Sequence, residues 1–101
     1  MRRRPPGRRV LPLQWTVEIE YDVAKDAANR AKHGIALGRA AEMEQTVAIA
    51  DPRFDEPRYR LYGLIDGLPY CAAVTWREQR LRIISLRRAR TKEYRRHVRP
   101  A

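Results

Sequence analysis

Two strand-like segments joined by a tight turn constrain the fold of this chain more than any other feature. The segments Arg58–Ile65 and Leu68–Trp76 flank Asp66-Gly67, a pair that type I′ turns favour because both residues tolerate a positive φ. A two-residue turn pairs Ile65 with Leu68, and every later pair of the ladder follows from that one. The sequence therefore predicts an antiparallel hairpin with a defined register.

A third strand continues this hairpin and gives the predicted sheet two chemically different faces. A turn at Glu78-Gln79 places Trp76 opposite Leu81, and side chains alternate between the faces of each strand. The apolar face collects Tyr59, Leu61, Tyr70, Ala72, Val74, Trp76, Leu81, Ile83 and Ser85, and the other face collects Arg58, Arg60, Tyr62, Thr75, Arg77, Arg80 and Arg82. Because three consecutive strands share one basic face, we expect that face to bind a polyanion.

The residues before the hairpin predict a strand and a helix. Val17–Tyr21 alternates apolar and acidic residues, which indicates a half-buried strand. Asp22 is suited to cap a helix, and Gly34 is suited to end it in the left-handed conformation. An apolar stripe at helical spacing is expected to face the sheet, and it consists of Ala24, Ala27, Ala28, Ala31 and Ile35.

The remaining segments are shorter, and together with the sheet they predict an α+β fold. Between the first helix and the hairpin we expect a short second helix from Leu37 to about Glu44, a strand at Thr46–Ala50 and a loop at residues 51–57. Thr91 is predicted to cap a final helix, with Tyr94 and Val98 on its buried side.

The charge distribution favours nucleic acid as the partner. The net charge is +10, and the segment Arg80–Arg99 contains nine arginine and lysine residues against the single acid Glu93. The single cysteine, Cys71, excludes an intramolecular disulfide, is typical of a reducing cytoplasm and suits a small core residue better than a nucleophile. Two histidines do not make a zinc site, and the apolar runs are too short to cross a membrane. We therefore predict a cytoplasmic protein without metal, cofactor or membrane contact.

Residues 1–16 form a separate, basic segment. Their arginines are interrupted by prolines and a glycine, and no apolar stretch of the kind found in signal peptides follows. This composition predicts a disordered extension to the folded domain. Two interpretations remain open, since the segment could be a flexible arm that follows phosphates or an extension without function.

Two motifs resemble the BrnT toxins of BrnT/BrnA toxin–antitoxin systems. The first starts the N-terminal helix, and the second joins the last strand to the last helix. The matching residues are Ile19-Glu20-Tyr21-Asp22, Lys25, Asn29, Lys32-His33-Gly34, the arginine-led strand through Gly63, Arg82-Ile83-Ile84-Ser85, Arg87-Arg88-Ala89 and Glu93. The sequence departs from the family pattern at Leu37, Leu86 and His97. The resemblance covers roughly Val17 to His97.

The resemblance implies a fold, an activity and a partner. The fold would be RelE-like, with a first strand, two helices, an antiparallel sheet and a C-terminal helix in a single toxin domain at residues 17–99. The activity would be that of a metal-independent endoribonuclease that cleaves RNA and inhibits translation. The partner would be a ribbon-helix-helix antitoxin of the BrnA kind, and operator DNA would be contacted only indirectly, through that antitoxin.

Metal-free RNA cleavage requires a base, an acid and cations for the phosphate, and four residues are the catalytic candidates. Arg82 is the first candidate for phosphate stabilisation, because its guanidinium can engage two phosphate oxygens from the middle of the basic face. Lys25 could reach the site from the helix, or it could simply cover the core with its stem. His97 could transfer protons with Glu93 orienting it, or it could be an ordinary cation at a helix end.

Six further residues are candidates for binding the substrate. Arg60 and Arg77 neighbour Arg82 on the basic face, and Tyr62 could stack on a base. The others are Arg58, Lys32 and Arg88. For Arg60 and Arg77 a plain solvated surface role remains open, as does a plain sheet role for Tyr62.

Two other functions remain open at the level of sequence. A non-catalytic module could bind nucleic acid through the basic face, with salt-sensitive affinity and no cleavage. Alternatively, the basic face could serve mainly to dock an acidic segment of an antitoxin.

Overall fold

The computed structural model describes residues 18–98, which form a mixed five-stranded sheet with helices on both sides. The strands are β1 (Ile19–Glu20), β2 (Glu44–Ala50), β3 (Arg58–Ile65), β4 (Leu68–Arg77) and β5 (Arg80–Arg88), and the helices are α1 (Val23–His33), a 3-10 helix (Leu37–Glu42) and α2 (Thr91–His97). The strand order is β1-β5-β4-β3-β2. The predicted α+β class is confirmed, but β1 runs parallel to β5, so only the other four strands form an antiparallel sheet.

The predicted hairpin register is confirmed. Ile65 pairs with Leu68, and the ladder continues from there to Arg58 opposite Thr75. Asp66 and Gly67 have φ values of 53° and 77°, which a type I′ turn requires. The second predicted turn is also confirmed, since Trp76 lies opposite Leu81. The turn sequences alone were sufficient to fix these pairs.

A β-bulge in β5 contradicts the face predicted for Ser85. The ladder pairs Val74 with Ile83 but Ala73 with Ser85, so Ile84 is left as the extra residue. An extra residue reverses the alternation of side chains beyond it. As a result Ser85 lies on the face opposite to the core, where it lines a surface depression, and Leu86 is fully buried in the core instead.

Both predicted ends of α1 are confirmed, but its predicted buried side is wrong. Asp22 accepts a hydrogen bond from the amide of Lys25 at 3.0 Å, and Gly34 ends the helix at φ 75°. The four alanines of the stripe are exposed. The helix instead buries the polar side chains of Asp26 and Asn29 against its neighbours.

Asn29 takes this inward position because it completes an edge of the sheet. β1 ends at Glu20, so the backbone of β5 has no strand partner at Leu86. The Asn29 amide donates to the Leu86 carbonyl at 2.9 Å and accepts from the Leu86 amide at 3.1 Å. It also donates to the carbonyl of Ile35 at 2.9 Å. One side chain therefore satisfies the strand edge and fixes the chain that leaves α1.

The 3-10 helix replaces the predicted second α-helix and closes the core. Asp26 accepts from the amide of Leu37 at 2.7 Å, which fixes the start of this helix beneath α1. Leu37, Ala40 and Met43 are fully buried against the apolar face of the sheet. The core cluster consists of Ile35, Leu37, Ala40, Met43, Ala48, Leu61, Ile65, Ala72, Val74, Leu81, Ile83 and Leu86.

A second, smaller cluster holds α2 on the other face of the sheet. Tyr94 and Val98 pack against buried Tyr62, Cys71 and Ala89, which confirms the predicted inner side of this helix. The capping prediction is wrong by one residue, because the N-cap is Arg90 rather than Thr91.

Two remaining predictions from the sequence concern strand and loop bounds. The strand predicted at Thr46–Ala50 is confirmed and begins at Glu44, and residues 51–57 lie between strands as expected.

The basic extension predicted for residues 1–16 lies outside the described residues. No helix within residues 18–98 is long and apolar enough to cross a membrane.

Candidate active site

A basic cleft lies where α2 crosses the face of the sheet that is opposite to the core. We call that surface the basic face, and it carries Arg58, Arg60, Arg77, Arg82 and Arg87. The cleft, called the main cleft below, has a volume of about 800 Å³. Its lining contains seven arginine or lysine side chains, two histidines and one carboxylate, namely Lys32, Arg60, Arg87, Arg88, Arg90, Lys92, Arg96, His33, His97 and Glu93. Such a lining attracts phosphate groups.

The bulge in β5 is the local feature that builds this cleft. Arg60 reaches the main cleft from β3, and Arg87 reaches it from β5. Without the extra residue Ile84, strand alternation would turn Arg87 toward the core. The bulge therefore brings the two arginines together on one face.

Glu93 holds Arg87 through a two-pronged ion pair. Its two oxygens accept from Arg87 at 3.0 and 2.8 Å, and they also accept from the Tyr62 hydroxyl at 2.7 Å and the Arg90 amide at 3.3 Å. The Arg87 guanidinium, followed by the Tyr62 hydroxyl, lowers the pKa of Glu93 to about 2 against the opposing effect of burial. The same pair raises the pKa of Arg87. Glu93 is therefore ionised and fully engaged at neutral pH.

The predicted hydrogen bond between Glu93 and His97 does not form. The His97 ring instead stacks on Tyr62, with ring centroids 5.0 Å apart and an interplanar angle of 14°. Tyr62 is fully buried, and burial followed by its bond to Glu93 raises the pKa of its hydroxyl. A buried ring beneath α2 has no free face for a nucleobase, so the stacking role predicted for Tyr62 does not fit this position. Tyr62 supports the His97 ring instead.

Arg60 lies centrally on the basic face, and its guanidinium has no acidic partner among the described residues. None of the described carboxylates lies within 4.0 Å of its guanidinium. Its Nε is buried without a hydrogen-bond partner among the described residues, and its terminal nitrogen lies 3.5 Å from the Tyr62 hydroxyl. A phosphate that binds to an unpaired, partly desolvated guanidinium stabilises it, because the phosphate supplies the missing hydrogen-bond acceptors and opposite charge.

The other predicted site residues gather at a second place. A cleft of about 190 Å³, called the edge cleft, is lined by Lys25, Arg58, Arg77 and Arg82. Here the charges are partly compensated, since Arg82 donates to Glu20 at 3.0 Å and Arg58 pairs with Glu56 at 2.7 Å. The first candidate for phosphate stabilisation, Arg82, thus already has a carboxylate partner.

A shallow depression joins the two clefts. It has a volume of about 200 Å³ and lies in the middle of the basic face, so we call it the middle depression. It shares Arg60 and Arg87 with the main cleft and Arg58 with the edge cleft. The predicted residues therefore form two groups on one continuous cationic surface, with Arg60, Lys32, Arg88, Glu93 and His97 in one group.

Comparison with known proteins identifies the family to which this fold and cleft belong. A family model described as the ribonuclease toxin BrnT of type II toxin–antitoxin systems matches residues 21–93. The chain belongs to the BrnT family. It is accordingly a ribonuclease toxin of a type II toxin–antitoxin system, and an antitoxin partner is implied.

A solved structure confirms the fold of this BrnT-family chain. The crystal structure of the Brucella abortus ribonuclease toxin BrnT superposes with a TM-score of 0.62. The two sequences are 22% identical, and the match covers 75% of this chain and 100% of the Brucella chain. No curated protein matches the sequence.

Sequence reasoning missed several residues of the main cleft of this BrnT-family toxin. Arg87, Arg90, Lys92, Arg96 and His33 line it without having been singled out as candidates. The Arg87-Arg88-Ala89 motif was a usable signal for Arg87. Its face could not be assigned, because the pattern does not reveal the bulge that sets it.

Two further observations concern Cys71 and the side chains that could bind a metal ion. Cys71 is buried in the small cluster under α2, and burial raises the pKa of its thiol, which keeps it protonated. Across residues 18–98, no three histidine, cysteine, aspartate or glutamate side chains gather closely enough to hold a metal ion.

Proposed function

We propose that this BrnT-family toxin is a metal-independent endoribonuclease that cuts single-stranded RNA in the main cleft and thereby inhibits translation. The observation that carries this proposal is the position of unpaired Arg60 in a cleft that also contains Arg87 and His97. This combination offers a phosphate site and a group capable of proton transfer in one cleft.

The reaction that fits these groups is attack by the ribose on its own phosphate. The 2′-oxygen loses its proton and bonds to phosphorus, while the bond from phosphorus to the 5′-oxygen breaks and that oxygen takes up a proton. The products are a 2′,3′-cyclic phosphate and a 5′-hydroxyl. Negative charge grows on the phosphate oxygens in between, and fixed cations stabilise it.

We assign separate roles to the residues of the main cleft. Arg60 binds the scissile phosphate, Arg87 supports it with a smaller contribution because Glu93 already neutralises its charge, and His97 transfers a proton, because histidine can exchange protons near neutral pH. Glu93 is a positioning residue, since its oxygens already accept from Arg87 and Tyr62. It keeps Arg87 extended across the cleft.

The edge cleft is proposed to hold the phosphates of flanking nucleotides. Its cations Lys25, Arg58, Arg77 and Arg82 lie on the same surface, beyond the middle depression. Because Arg82 and Arg58 have carboxylate partners, each contributes less to phosphate binding than Arg60. Lys32 and Arg88 supply charge at the opposite end, in the main cleft.

The charge of the main cleft supports metal independence. Seven arginine or lysine side chains repel a divalent cation, and the single carboxylate, Glu93, has both oxygens occupied by hydrogen bonds. Guanidinium groups can supply the positive charge that a metal supplies in other nucleases. The order of strand, helices, antiparallel sheet and C-terminal helix supports a RelE-like classification.

Membership of a type II toxin–antitoxin family implies an antitoxin partner, and we propose that this partner is a ribbon-helix-helix protein. An acidic segment of such a protein would cover the basic face and exclude RNA from it. We further propose that the pair acts in the cytoplasm and contacts operator DNA only through the antitoxin.

Cleavage of RNA by the purified protein tests the proposal. Wild-type protein should cut single-stranded RNA in the presence of EDTA and yield 2′,3′-cyclic phosphate ends, and it should stop a cell-free translation reaction. We expect Arg60→Ala to lower the cleavage rate by at least about 100-fold, as expected for loss of a fixed donor to a charged transition state. Arg82→Ala should cause a smaller loss.

Arg39→Ala is the matched control for these variants. Arg39 is a partly exposed arginine that, like Arg82, has carboxylate partners, but these are Glu42 and Asp66, and Arg39 lines neither cleft. Its variant should retain full activity. Salt-sensitive RNA binding without any cleavage would contradict the proposal and support a non-catalytic binding module. One observation favours that second function, because the oxygens of Glu93, the carboxylate of the cleft, are already engaged in hydrogen bonds.

A further inference from the structure

We propose that Phe54 is a stacking platform for a nucleobase of the RNA, next to the phosphate site at Arg60. This inference rests on the proposed function and adds a base contact to a surface that otherwise offers mainly cations. Phe54 is the only phenylalanine in the sequence, and 42% of its surface is exposed. An exposed aromatic ring beside cations is a common feature of single-stranded nucleic-acid sites.

The position of Phe54 connects it to the phosphate site. It lies in the loop between β2 and β3 and lines the middle depression together with Arg58, Arg60 and Arg87. That depression has a volume of about 200 Å³. A water molecule occupies only about 30 Å³ in the liquid, so the space suits a heteroaromatic ring. A base placed there would be adjacent to a phosphate on Arg60.

Two arginines hold the Phe54 ring in place. The guanidinium carbon of Arg58 lies 4.2 Å from the ring centroid, and that of Arg53 lies 5.4 Å from it. Arg53 is in turn fixed by Asp51, at 2.9 and 2.7 Å, and Arg58 by Glu56, at 2.7 Å. The ring is therefore positioned before the substrate arrives, which lowers the entropic cost of stacking.

The same ion pairs separate base recognition from phosphate recognition. Because Arg53 and Arg58 each have a carboxylate partner, the surroundings of Phe54 add little net positive charge. Arg60, in contrast, has no acidic partner among the described residues. Removing the Phe54 ring should therefore affect the binding of bases, and removing the Arg60 guanidinium should affect the binding of the backbone.

Two matched oligonucleotides test this separation. One is a short single-stranded RNA with methylated 2′-oxygens, which cannot be cleaved, and the other is a strand of the same length without bases. Fluorescence anisotropy gives the Kd of each. Phe54→Ala should weaken binding of the base-bearing strand by roughly 5- to 150-fold, the range that corresponds to one base–aromatic stack, and leave the abasic strand unchanged. Phe54→Tyr should restore binding.

Control variants separate this result from a general loss of folding or charge. Leu68 is 43% exposed and belongs to the opposite end of the hairpin, so Leu68→Ala should leave both Kd values unchanged. Arg60→Ala should weaken binding of both strands and reduce the slope of log Kd against log salt by about 1, whereas Phe54→Ala should keep that slope.

Three outcomes would overturn the inference or the activity beneath it. An equal effect of Phe54→Ala on both strands, or no effect on either, refutes base stacking. If Phe54→Ala spares RNA binding but weakens the complex with the antitoxin, the ring belongs to a protein interface and the inference is wrong. If wild-type protein discriminates the two strands through Phe54 but never cuts RNA, the stacking role stands and the proposed activity fails.

Discussion

Replacing Glu93 by glutamine tests whether this carboxylate is the clamp of the main cleft. The wild-type side chain accepts two bonds from Arg87, one from Tyr62 and one from the Arg90 amide. Glutamine has nearly the same shape, but it keeps only one acceptor oxygen and has no charge. Glu93→Gln should therefore loosen Arg87 and the attachment of α2 without creating a cavity.

The size of the effect follows from the pKa of Glu93. Its pKa falls from 4.5 to about 2 on folding, chiefly through Arg87. One pKa unit corresponds to about 1.4 kcal/mol, which sets an upper limit of about 3.5 kcal/mol on the contribution of this carboxylate. The side chain is partly open to solvent, and screening reduces this value, so we expect a loss of about 1–2 kcal/mol in the free energy of unfolding at neutral pH.

The pH dependence has a definite sign. Because the pKa of Glu93 is lower in the folded protein, its contribution to stability is fully present above pH 4.5 and is lost as the pH falls toward 2. The glutamine variant cannot gain or lose this proton. The difference in stability between wild type and Glu93→Gln should therefore shrink as the pH falls through that window.

Urea denaturation followed by circular dichroism measures the difference, at about pH 7 and at about pH 3. Glu44→Gln is the control, because Glu44 is an exposed glutamate with no described ion pair. A Glu93→Gln difference of the same size at both pH values would refute the clamp. So would an effect no larger than that of Glu44→Gln at neutral pH.

Three further predictions concern the scaffold. A Cβ on Gly63 would lie 2.9 Å from a side-chain carbon and 3.0 Å from a carbonyl oxygen of the neighbouring β2, so Gly63→Ala should lower the free energy of unfolding by about 1–3 kcal/mol. Gly38→Ala is the control and should lower it less, because a Cβ there would lie 3.5 Å from its nearest neighbour, the ring of Tyr21. Asn29→Ala leaves Leu86 without its edge partner and should cost about 2–4 kcal/mol in the same urea titration. Because burial raises the pKa of Cys71, Ellman's reagent should not label the native protein and should label it fully in urea.

Local sequence patterns were reliable where backbone geometry alone decides the outcome. The turn residues Asp66 and Gly67 set the hairpin register, and Asp22 and Gly34 set the ends of α1. Each feature depends on the φ preference or the hydrogen-bonding capacity of one or two neighbouring residues.

The alanine stripe of α1 shows where such patterns fail. Helical spacing predicted that its alanines face the sheet, but the buried side chains are Asp26 and Asn29. Hydrophobicity predicted which face of the helix is buried. The backbone groups of Leu86 and the amide of Leu37 instead require polar partners, and they place Asn29 and Asp26 on the buried face. Burying a polar side chain is favourable when it completes such hydrogen bonds.

The candidate site was predictable in part for the same reason. Strand alternation correctly put Arg58, Arg60, Arg77 and Arg82 on one face, because they precede the bulge. The sequence ranked Arg82 first for phosphate stabilisation but could not show that it has a carboxylate partner. Its pairing with Glu20 depends on β1 lying beside β5, which brings together residues from opposite ends of the chain.

The class of fold, the family and the existence of a basic face were all predictable from the amino-acid sequence, because these depend on periodicity, turn residues and motifs that are local in the chain. Which cations are free and which are paired became clear only from the folded arrangement. Arg60 is unpaired and Arg87 is clamped by Glu93, since the approach of α2 and the bulge at Ile84 set those contacts. Charge neutralisation acts over a few ångströms, and distances on that scale between residues distant in sequence are fixed only when the chain has folded.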